Sequence, residues 1–174
     1  MPETPPADIA GLVTAARDGD AGAFAQLYAR FARAVHGLLL ARVPAADADD
    51  LVQEVFLHAW TRLKDLREPE AFGGWLCAAA RRRAVDYHRR STPVGELHDV
   101  HASRERPDVT AEAVAALKAI QALPEAYRET LALRLVEGLS GPEIAEATGL
   151  TPGSVRINLH RGFKLLRERL GAHP

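Results

Sequence analysis

The chain has 174 residues, a formal net charge of -1 and 47% hydrophobic residues, so it can form one ordinary domain or two small ones with a buried core. Its single cysteine, Cys77, excludes an internal disulfide, and no apolar segment approaches the roughly 20 residues that cross a bilayer. The acidic, proline-rich start "MPETPPADIA" lacks the basic residues and apolar run of a secretory signal. We therefore expect a cytoplasmic protein.

Helical spacing of apolar residues dominates the first half of the chain. A short helix is predicted over Leu12 to Arg17, and a longer amphipathic helix runs from Asp20 to about Val43. The segment "DLVQEVFLHAWTRL" is a third helix, and the acidic residues before it suit a helix entrance. After the loop "KDLREPEAF", a fourth helix begins near Phe72. Trp60 and Trp75 fall on apolar stripes and are expected in the core.

Residues 93–109 have no periodic apolar residues, and we predict a flexible linker there. The sequence after this linker predicts further helices. One helix spans Thr110 to Ala122, and another runs from Pro124 to Gly138. Ser140 precedes Glu143 by three residues, the spacing of a capping box. The last helix opens with Thr151 as its cap. No segment alternates apolar and polar residues with a period of two, so we expect no β-strand. The predicted fold class is therefore all-α.

Charge is segregated along the chain despite the near-zero total. Residues 81–90 contain five arginines and one acid, and residues 150–174 contain five Lys or Arg and one acid. Acidic residues collect at 46–50 and 96–112 instead. Such a distribution allows a nucleic-acid partner, because binding depends on the charge of a face rather than on the total.

The last two helices have the layout of a helix-turn-helix, with a short helix, a tight glycine-containing turn and a longer second helix. On a helical wheel the second helix presents a basic, hydrogen-bonding outer face. An exposed Ile157 could contact a thymine methyl there. A solvated surface helix is the alternative, but one acid against five cations disfavours it. The candidate DNA-binding residues on this face are Ser154, Arg156, Ile157, Asn158, His160, Arg161 and Lys164.

The fourth helix is a second candidate for DNA contact. Cations in a last helical turn oppose the helix dipole, which would explain one or two arginines but not five. Cations grouped around an aromatic ring are typical of a surface that binds a nucleic-acid backbone and stacks on a base. The candidate residues are Arg81, Arg82, Arg83, Tyr87, Arg89 and Arg90.

Other kinds of site receive little support from the sequence. His98 and His101 lie in the predicted linker without nearby cysteines, and a solvated pair is favoured over a metal site. Asp47, Asp49 and Asp50 lack the spacing of an EF-hand loop, and helix capping accounts for them. Phosphate-binding glycine loops and nucleophile elbows are absent from the sequence. We expect no cofactor, no metal and no catalytic activity.

Four segments taken in order resemble the extracytoplasmic-function (ECF) group of sigma-70 family RNA polymerase sigma factors. They are "FAQLYARFARAV", "DADDLVQEVFLHAW", "FGGWLCAAARRRAVDYHRR" and "LPEAYRETLALRLVEGLSGPEIAEATGLTPGSVRINLHRGFKLLRERL". Either "DLVQEVF" or "EIAEATG" alone would be modest evidence for this family. Both motifs in this order are specific to it. The resemblance covers about Phe24 to Arg90 and Ala116 to Leu170.

The resemblance implies two small helical domains joined by a flexible linker. Residues 1–92 would form the region 2 helical bundle, 93–109 the linker and 110–174 the region 4 helix-turn-helix. In region 2, the third helix would dock on the coiled coil of the polymerase beta-prime subunit and the fourth would bind and open the promoter -10 element. Region 4 would place its last helix in the -35 element and contact the beta flap. The polymerase-binding residues would be Asp49, Asp50, Leu51, Gln53, Glu54 and Leu57.

Regulation and specificity also follow as implications of the resemblance. Family members are usually restrained by an anti-sigma factor, often a membrane protein, which would hold this chain at the inner membrane. Ile157-Asn158 stands where many members have Ser-Arg, and Arg82 stands where Asn is common. A stand-alone helix-turn-helix regulator that binds duplex operators is the alternative function. Such a regulator would need neither the "DLVQEVF" motif nor a basic-aromatic helix in the first half, so these two features favour the sigma factor.

Overall fold

The computed structural model describes residues 8–91 and 110–171, and within these ranges the chain is helical without a strand. The first half contains α1 (Ile9–Arg17), α2 (Ala21–Leu40), α3 (Ala45–Arg62) and α4 (Phe72–Ser91). The second half contains α5 (Ala111–Gln121), α6 (Glu125–Leu131), α7 (Gly141–Thr148) and α8 (Pro152–Gly171). The all-α fold class is therefore confirmed. The predicted linker and the pair His98 and His101 lie outside the described residues.

Several helices begin at residues whose side chains cap them, and the predicted capping box is among these. The side chain of Asp20 accepts a hydrogen bond from the Ala23 N–H, and Thr110 accepts one from the Ala113 N–H. Ser140 and Glu143 form the complete capping box at the start of α7. That helix ends at Gly149, whose φ of 75° lies in the left-handed region that glycine adopts without a steric penalty. These caps satisfy helix-end groups that would otherwise lack partners.

The start of α3 differs from the expectation. The helix begins at Ala45 after Pro44, and no side chain caps it. Helix capping is thus the wrong explanation for the nearby acidic residues. Asp47 instead accepts a hydrogen bond from Tyr87, and Asp49 lies 3.4 Å from His36. These acids contact other helices because α3 starts early enough to include all of them.

The helix predicted from Pro124 to Gly138 changes its geometry part-way. After α6 the chain forms a π-helical turn over Ala132–Val136 and then reverses at Gly138, where φ is 67°. A π turn adds a residue to the helical repeat and rotates the following side chains. Leu133 is fully buried, whereas Leu135 and Val136 are about half exposed. Apolar spacing alone did not indicate this change.

One hydrophobic cluster runs through both halves of the protein. From the first half it includes Leu27, Phe31, Val35, Val52, Val55, Phe56, Phe72 and Leu76. From the second half it includes Leu133, Leu139, Ile144, Ala147 and Val155. A smaller cluster contains Ala41, Ile120, Leu123, Leu131, Ala132 and Leu166. Since each cluster draws residues from both halves, the halves pack against each other directly.

The two tryptophans are less buried than expected. Trp60 is 38% exposed and packs edge-on against Phe24, with ring centroids 4.8 Å apart. Trp75 is half-buried and lies 6.1 Å from the ring of Phe72. Trp60 occupies the rim of the α2–α3 contact, where a large ring covers apolar neighbours while one side remains in solvent.

We expect Ser140→Ala to lower the free energy of unfolding by about 1 kcal/mol, because the Glu143 N–H loses its acceptor at the start of α7. Urea unfolding at neutral pH measures this change. Thr14→Ala is the control, since the exposed Thr14 hydroxyl only donates to the Ala10 carbonyl in the middle of α1. Equal losses in the two variants would contradict the role of the capping box.

Hydrogen bonds from Ser140 also lower the pKa of Glu143. A carboxylate with a lowered folded pKa stabilises the protein above its unfolded pKa, and that contribution disappears as the pH falls through the folded value. We therefore expect Glu143→Gln to destabilise the protein at neutral pH and to differ less from the wild type in acid. Urea unfolding as a function of pH tests this.

Candidate functional site

The outer face of α8 is exposed and basic. Arg156, Ile157, His160 and Arg161 line a shallow depression on this face. Ile157 is 48% exposed, as its helical position predicts, and Lys164 is exposed about two turns further along. The opposite side of the helix is anchored by buried residues, among them Val155 and Leu166. The arrangement suits insertion of the exposed face into a groove that offers phosphates and base edges.

Two candidates on α8 are less accessible. Ser154 and Asn158 are only partly exposed. The Ser154 hydroxyl lies 2.8 Å from Thr151 Oγ1, and the Ser154 N–H donates to the same oxygen at 3.1 Å. Thr151 therefore caps α8 as predicted, and this cap also holds the Ser154 side chain.

The arginines of α4 divide into two groups. Arg82, Arg89 and Arg90 are exposed, with Arg89 only 4.0 Å from Asp86 on the same helix. Arg83 and Arg81 instead face acidic residues from other helices. Arg83 Nε lies 3.5 Å from a carboxylate oxygen of Glu54 on α3. The expectation that the acids lie apart from these cations is therefore wrong for these two arginines.

Arg81 forms the strongest of these contacts, and it does so across the two halves. Its Nε and Nη2 donate to the two carboxylate oxygens of Glu129 on α6, at 2.8 and 2.9 Å. This two-point geometry is the one that guanidinium groups also use with phosphates. The carboxylate of Glu129 thus binds the guanidinium group of Arg81, which we predicted to contact DNA.

Glu129 is a site residue that sequence reasoning missed. It is 5% exposed and also accepts a hydrogen bond from Arg42, which follows α2. The Arg42 side chain is nearly buried, and burial lowers its pKa despite the nearby acids. Arg42 Nη2 also donates to Glu125 at 2.5 Å, and this hydrogen bond lowers the pKa of Glu125. No local sequence signal connects these residues, because they lie more than 80 positions apart.

Tyr87 faces the protein more than the solvent. Its hydroxyl donates to Asp47 Oδ2 at 2.6 Å, and burial together with this contact raises the pKa of Tyr87. The ring packs edge-on against His88, whose Nε2 lies 2.7 Å from the Arg42 carbonyl oxygen. The basic-aromatic grouping predicted from the sequence is therefore tied to α3 and to the end of α2.

Most of the candidate polymerase-binding residues on α3 are exposed. Asp49, Asp50, Gln53 and Glu54 are exposed, and Leu57 is 66% exposed. Leu51 is only 6% exposed, so the expectation that it adds apolar area to this surface is wrong. Its position follows from the helical repeat, since a residue four positions before Val55 lies on the same buried face.

Cys77 lies at the contact between α4 and α7. The residue is 1% exposed, and its Sγ donates to the Ala147 carbonyl oxygen at 3.1 Å. Burial raises the pKa of the thiol to about 11. The thiol is therefore protonated at physiological pH and is covered by the second half of the chain.

Within residues 8–91 and 110–171, no group of three or more His, Cys, Asp and Glu side chains is placed to hold a metal ion. In the same ranges, no helix is long and apolar enough to span a membrane.

Comparisons with known proteins agree with both halves of the chain. The models for sigma-70 region 2 and sigma-70 region 4 match residues 27–93 and 113–166. The RNA polymerase sigma factor CarQ of Myxococcus xanthus is 38% identical over 169 residues, which cover 89% of this chain and 93% of CarQ. The ECF RNA polymerase sigma-E factor of Escherichia coli K12 is 29% identical, with 91% and 92% covered. The chain belongs to the ECF subfamily of sigma-70 factors.

Solved structures support the same fold for this sigma factor. The structure of CnrH in complex with the cytosolic domain of CnrY aligns with a TM-score of 0.65 and 27% identity, covering 95% of this chain and 99% of CnrH. The sigma factor RpoE of Bartonella quintana, in complex with the anti-sigma factor NepR, aligns with a TM-score of 0.57, 20% identity and coverage of 87% and 98%. Because region 2 is matched along with region 4, the stand-alone operator-binding regulator is not favoured.

We expect Cys77 of the native sigma factor to react with iodoacetamide far more slowly than the same thiol in urea, because the reactive species is the thiolate and burial raises its pKa. Mass spectrometry of timed samples at about pH 8 measures both rates. Similar rates in the folded and unfolded protein would contradict the buried position of the thiol.

Proposed function

We propose that this sigma factor binds core RNA polymerase and directs transcription from promoters that carry matching -35 and -10 elements, without catalytic activity of its own. Residues 1–92 would serve as region 2, 93–109 as the linker and 110–174 as region 4. The observation that carries the proposal is the separation of two exposed faces. α8 presents a basic face suited to DNA, and α3 presents an acidic and polar face suited to a protein partner.

In region 4, α8 would lie in the major groove of the -35 element. Arg156, Arg161 and Lys164 supply cations for phosphates and base edges, and Ile157 supplies an apolar contact for a thymine methyl. Asn158, His160 and Ser154 complete the proposed surface, although Ser154 also takes part in the helix cap. The Ile157-Asn158 pair would make base preference differ from that of members with Ser-Arg at these positions.

In region 2, α4 would bind the -10 element and the opened strand. Arg82, Arg89 and Arg90 are exposed and ready for phosphate contacts. Arg81, Arg83 and Tyr87 belong to the same proposed surface, but their polar groups have partners within the protein. Part of the promoter surface would therefore become available only after these partners separate.

Polymerase docking is proposed for the exposed residues of α3. Asp49, Asp50, Gln53 and Glu54 would make polar contacts with the beta-prime coiled coil, and Leu57 would add apolar area. The flanking surface of region 4 would contact the beta flap. Anti-sigma binding is proposed because the structurally similar RpoE is described in complex with an anti-sigma factor. The site of action would be the bacterial cytoplasm, or the inner membrane where the anti-sigma factor lies in it.

Transcription by bacterial core polymerase from a library of random promoter DNA tests the proposed function. Sequencing of the transcript starts would recover both promoter elements if the protein is an active sigma factor. We expect transcripts that require the added protein and share an upstream and a downstream motif. Binding to duplex DNA without binding to core polymerase would contradict the proposal and favour an operator-binding regulator.

We expect Arg161→Ala and Arg156→Ala each to weaken binding of the -35 duplex by about 1–3 kcal/mol if they contact bases. A phosphate contact would instead reduce the salt dependence by about 0.9 in the slope of log K against log salt. Titrations at several fixed salt concentrations separate these cases. Arg62→Ala removes one charge from a distant exposed arginine and is the control. Unchanged affinity and slope in both α8 variants would refute the assignment.

We expect Asp50→Ala and Gln53→Ala to weaken binding to core polymerase while binding of the isolated protein to the -35 duplex stays unchanged. The reason is that both side chains are exposed on α3 and away from the basic face of α8. Competition for core polymerase against a labelled wild-type protein measures the effect. Asp18→Ala, which removes an exposed acid outside α3, is the control. Full competition by all variants would exclude this surface.

A further inference from the structure

We propose that Val85 on α4 is a specificity-determining residue, which contacts the 5-methyl group of a thymine in the -10 element and so selects a T·A pair at one position. The inference rests on the proposed function of α4 and deepens it, because it adds an apolar base contact to a helix whose other candidate residues are arginines and one tyrosine. Phosphate contacts position a protein on DNA, whereas contacts to base edges select the sequence.

Val85 is an exposed apolar residue that packing among residues 8–91 and 110–171 does not explain. It is 56% exposed, while Ala84 beside it is 1% exposed and belongs to the hydrophobic cluster. Valine is also a poorer helix former than alanine, lysine or arginine, because its branched Cβ loses χ1 freedom in a helix. Neither burial nor helix propensity therefore favours valine at this position, whereas contact with an apolar group of a binding partner does.

Two exposed arginines flank Val85 on the same face of α4. Arg82 lies three residues before it and Arg89 four residues after it, and these spacings make side chains neighbours on a helix surface. The two arginines are therefore about 10 Å apart along the helix axis. Consecutive phosphates of one DNA strand rise by about 3.4 Å each, so the two cations can contact phosphates on either side of a base pair that Val85 faces.

The charge around Val85 fits DNA better than an apolar protein surface. Residues 81–90 contain five arginines and one acid, Asp86, which lies 4.0 Å from Arg89. A protein partner of Val85 would also have to neutralise this excess of positive charge, whereas a DNA backbone does so on both sides of the base edges. The apolar group that base pairs present in the major groove is the thymine 5-methyl, and this identifies the expected contact.

The same arrangement occurs on α8, in the other half of the chain. There Ile157 is 48% exposed and shares a depression with Arg156 and Arg161. In both helices a β-branched side chain that is about half exposed lies among the cations of an otherwise polar face. The recurrence of this pattern in the two helices proposed to bind DNA supports a common use, which is contact with thymine methyl groups.

Transcription from the random promoter library, run with core polymerase and the Val85→Ala variant, tests the assignment. We expect the wild type to prefer a T·A pair at one position of the downstream motif and Val85→Ala to lose that preference, with the upstream motif unchanged. Val114→Ala is the matched control, because it removes the same two methyl groups from an exposed valine on α5. Circular dichroism checks that each variant keeps its helix content.

Replacement of the selected thymine by deoxyuridine isolates the methyl group, because the two bases differ only there. In a labelled promoter duplex recovered from the library, we expect this replacement to weaken binding of the wild-type holoenzyme about threefold to fivefold, the size of effect that loss of one apolar carbon from a contact produces. The Val85→Ala holoenzyme should bind both duplexes equally. Fluorescence anisotropy at one fixed salt concentration gives the affinities.

The outcomes separate this inference from the proposed function. Identical downstream motifs for the wild type and Val85→Ala, or an equal effect of deoxyuridine on the two holoenzymes, would overturn the contact between Val85 and thymine and leave the proposed sigma factor function intact. Loss of the same preference in Val114→Ala would also contradict a specific contact. If Val85→Ala starts no transcripts, the binding measurement decides. Failure of the wild type to start any transcript with core polymerase would overturn the proposed function and this inference with it.

Discussion

The buried carboxylate of Glu129, held between Arg42 and Arg81, is the interaction on which the arrangement of the two halves depends. Charged groups taken from water destabilise a fold unless they are paired, and removal of one partner from a buried pair commonly costs about 3–5 kcal/mol. Glu129 comes from region 4, while both arginines come from region 2. The carboxylate can therefore keep its partners only if region 4 stays against α2 and α4. Electrostatics thereby couples the position of one half to the charge that the other half presents.

This coupling changes how the charge of the sequence should be understood. The sequence places five arginines on one short stretch, but the fold gives Arg81 and Arg83 acidic neighbours and ties Tyr87 to Asp47. The exposed cations of α8 have no such inter-half pairing among the salt bridges formed by residues 8–91 and 110–171. The two helices proposed to bind DNA consequently differ in their exposed positive charge. The basic face of α8, proposed for the -35 element, is exposed, whereas part of the positive charge of α4, proposed for the -10 element, is neutralised by acidic neighbours.

Small residues and helix distortions allow the charged groups to meet. Gly73 lets the backbone of α7 approach α4, and the π turn after α6 brings buried Leu133 toward α2 while the chain turns back at Gly138. The apolar cluster shared by both halves then supplies the non-directional part of their attraction. Directional contacts such as Arg30 with Glu146 determine which relative position is adopted. A contact built in this way has one preferred geometry.

The sequence by itself determined the helices, most of their caps and the family, because these depend on residues within a few positions of each other. Ser140 and Glu143 are three residues apart, and the exposed face of α8 follows from the helical repeat. The burial of Leu51 could also have been read from its spacing to Val55. Only the tertiary structure decided that Glu129 binds Arg81, that Tyr87 binds Asp47 and that region 4 covers Cys77. These partners lie between 40 and 70 positions apart, and no local pattern records which distant surfaces meet.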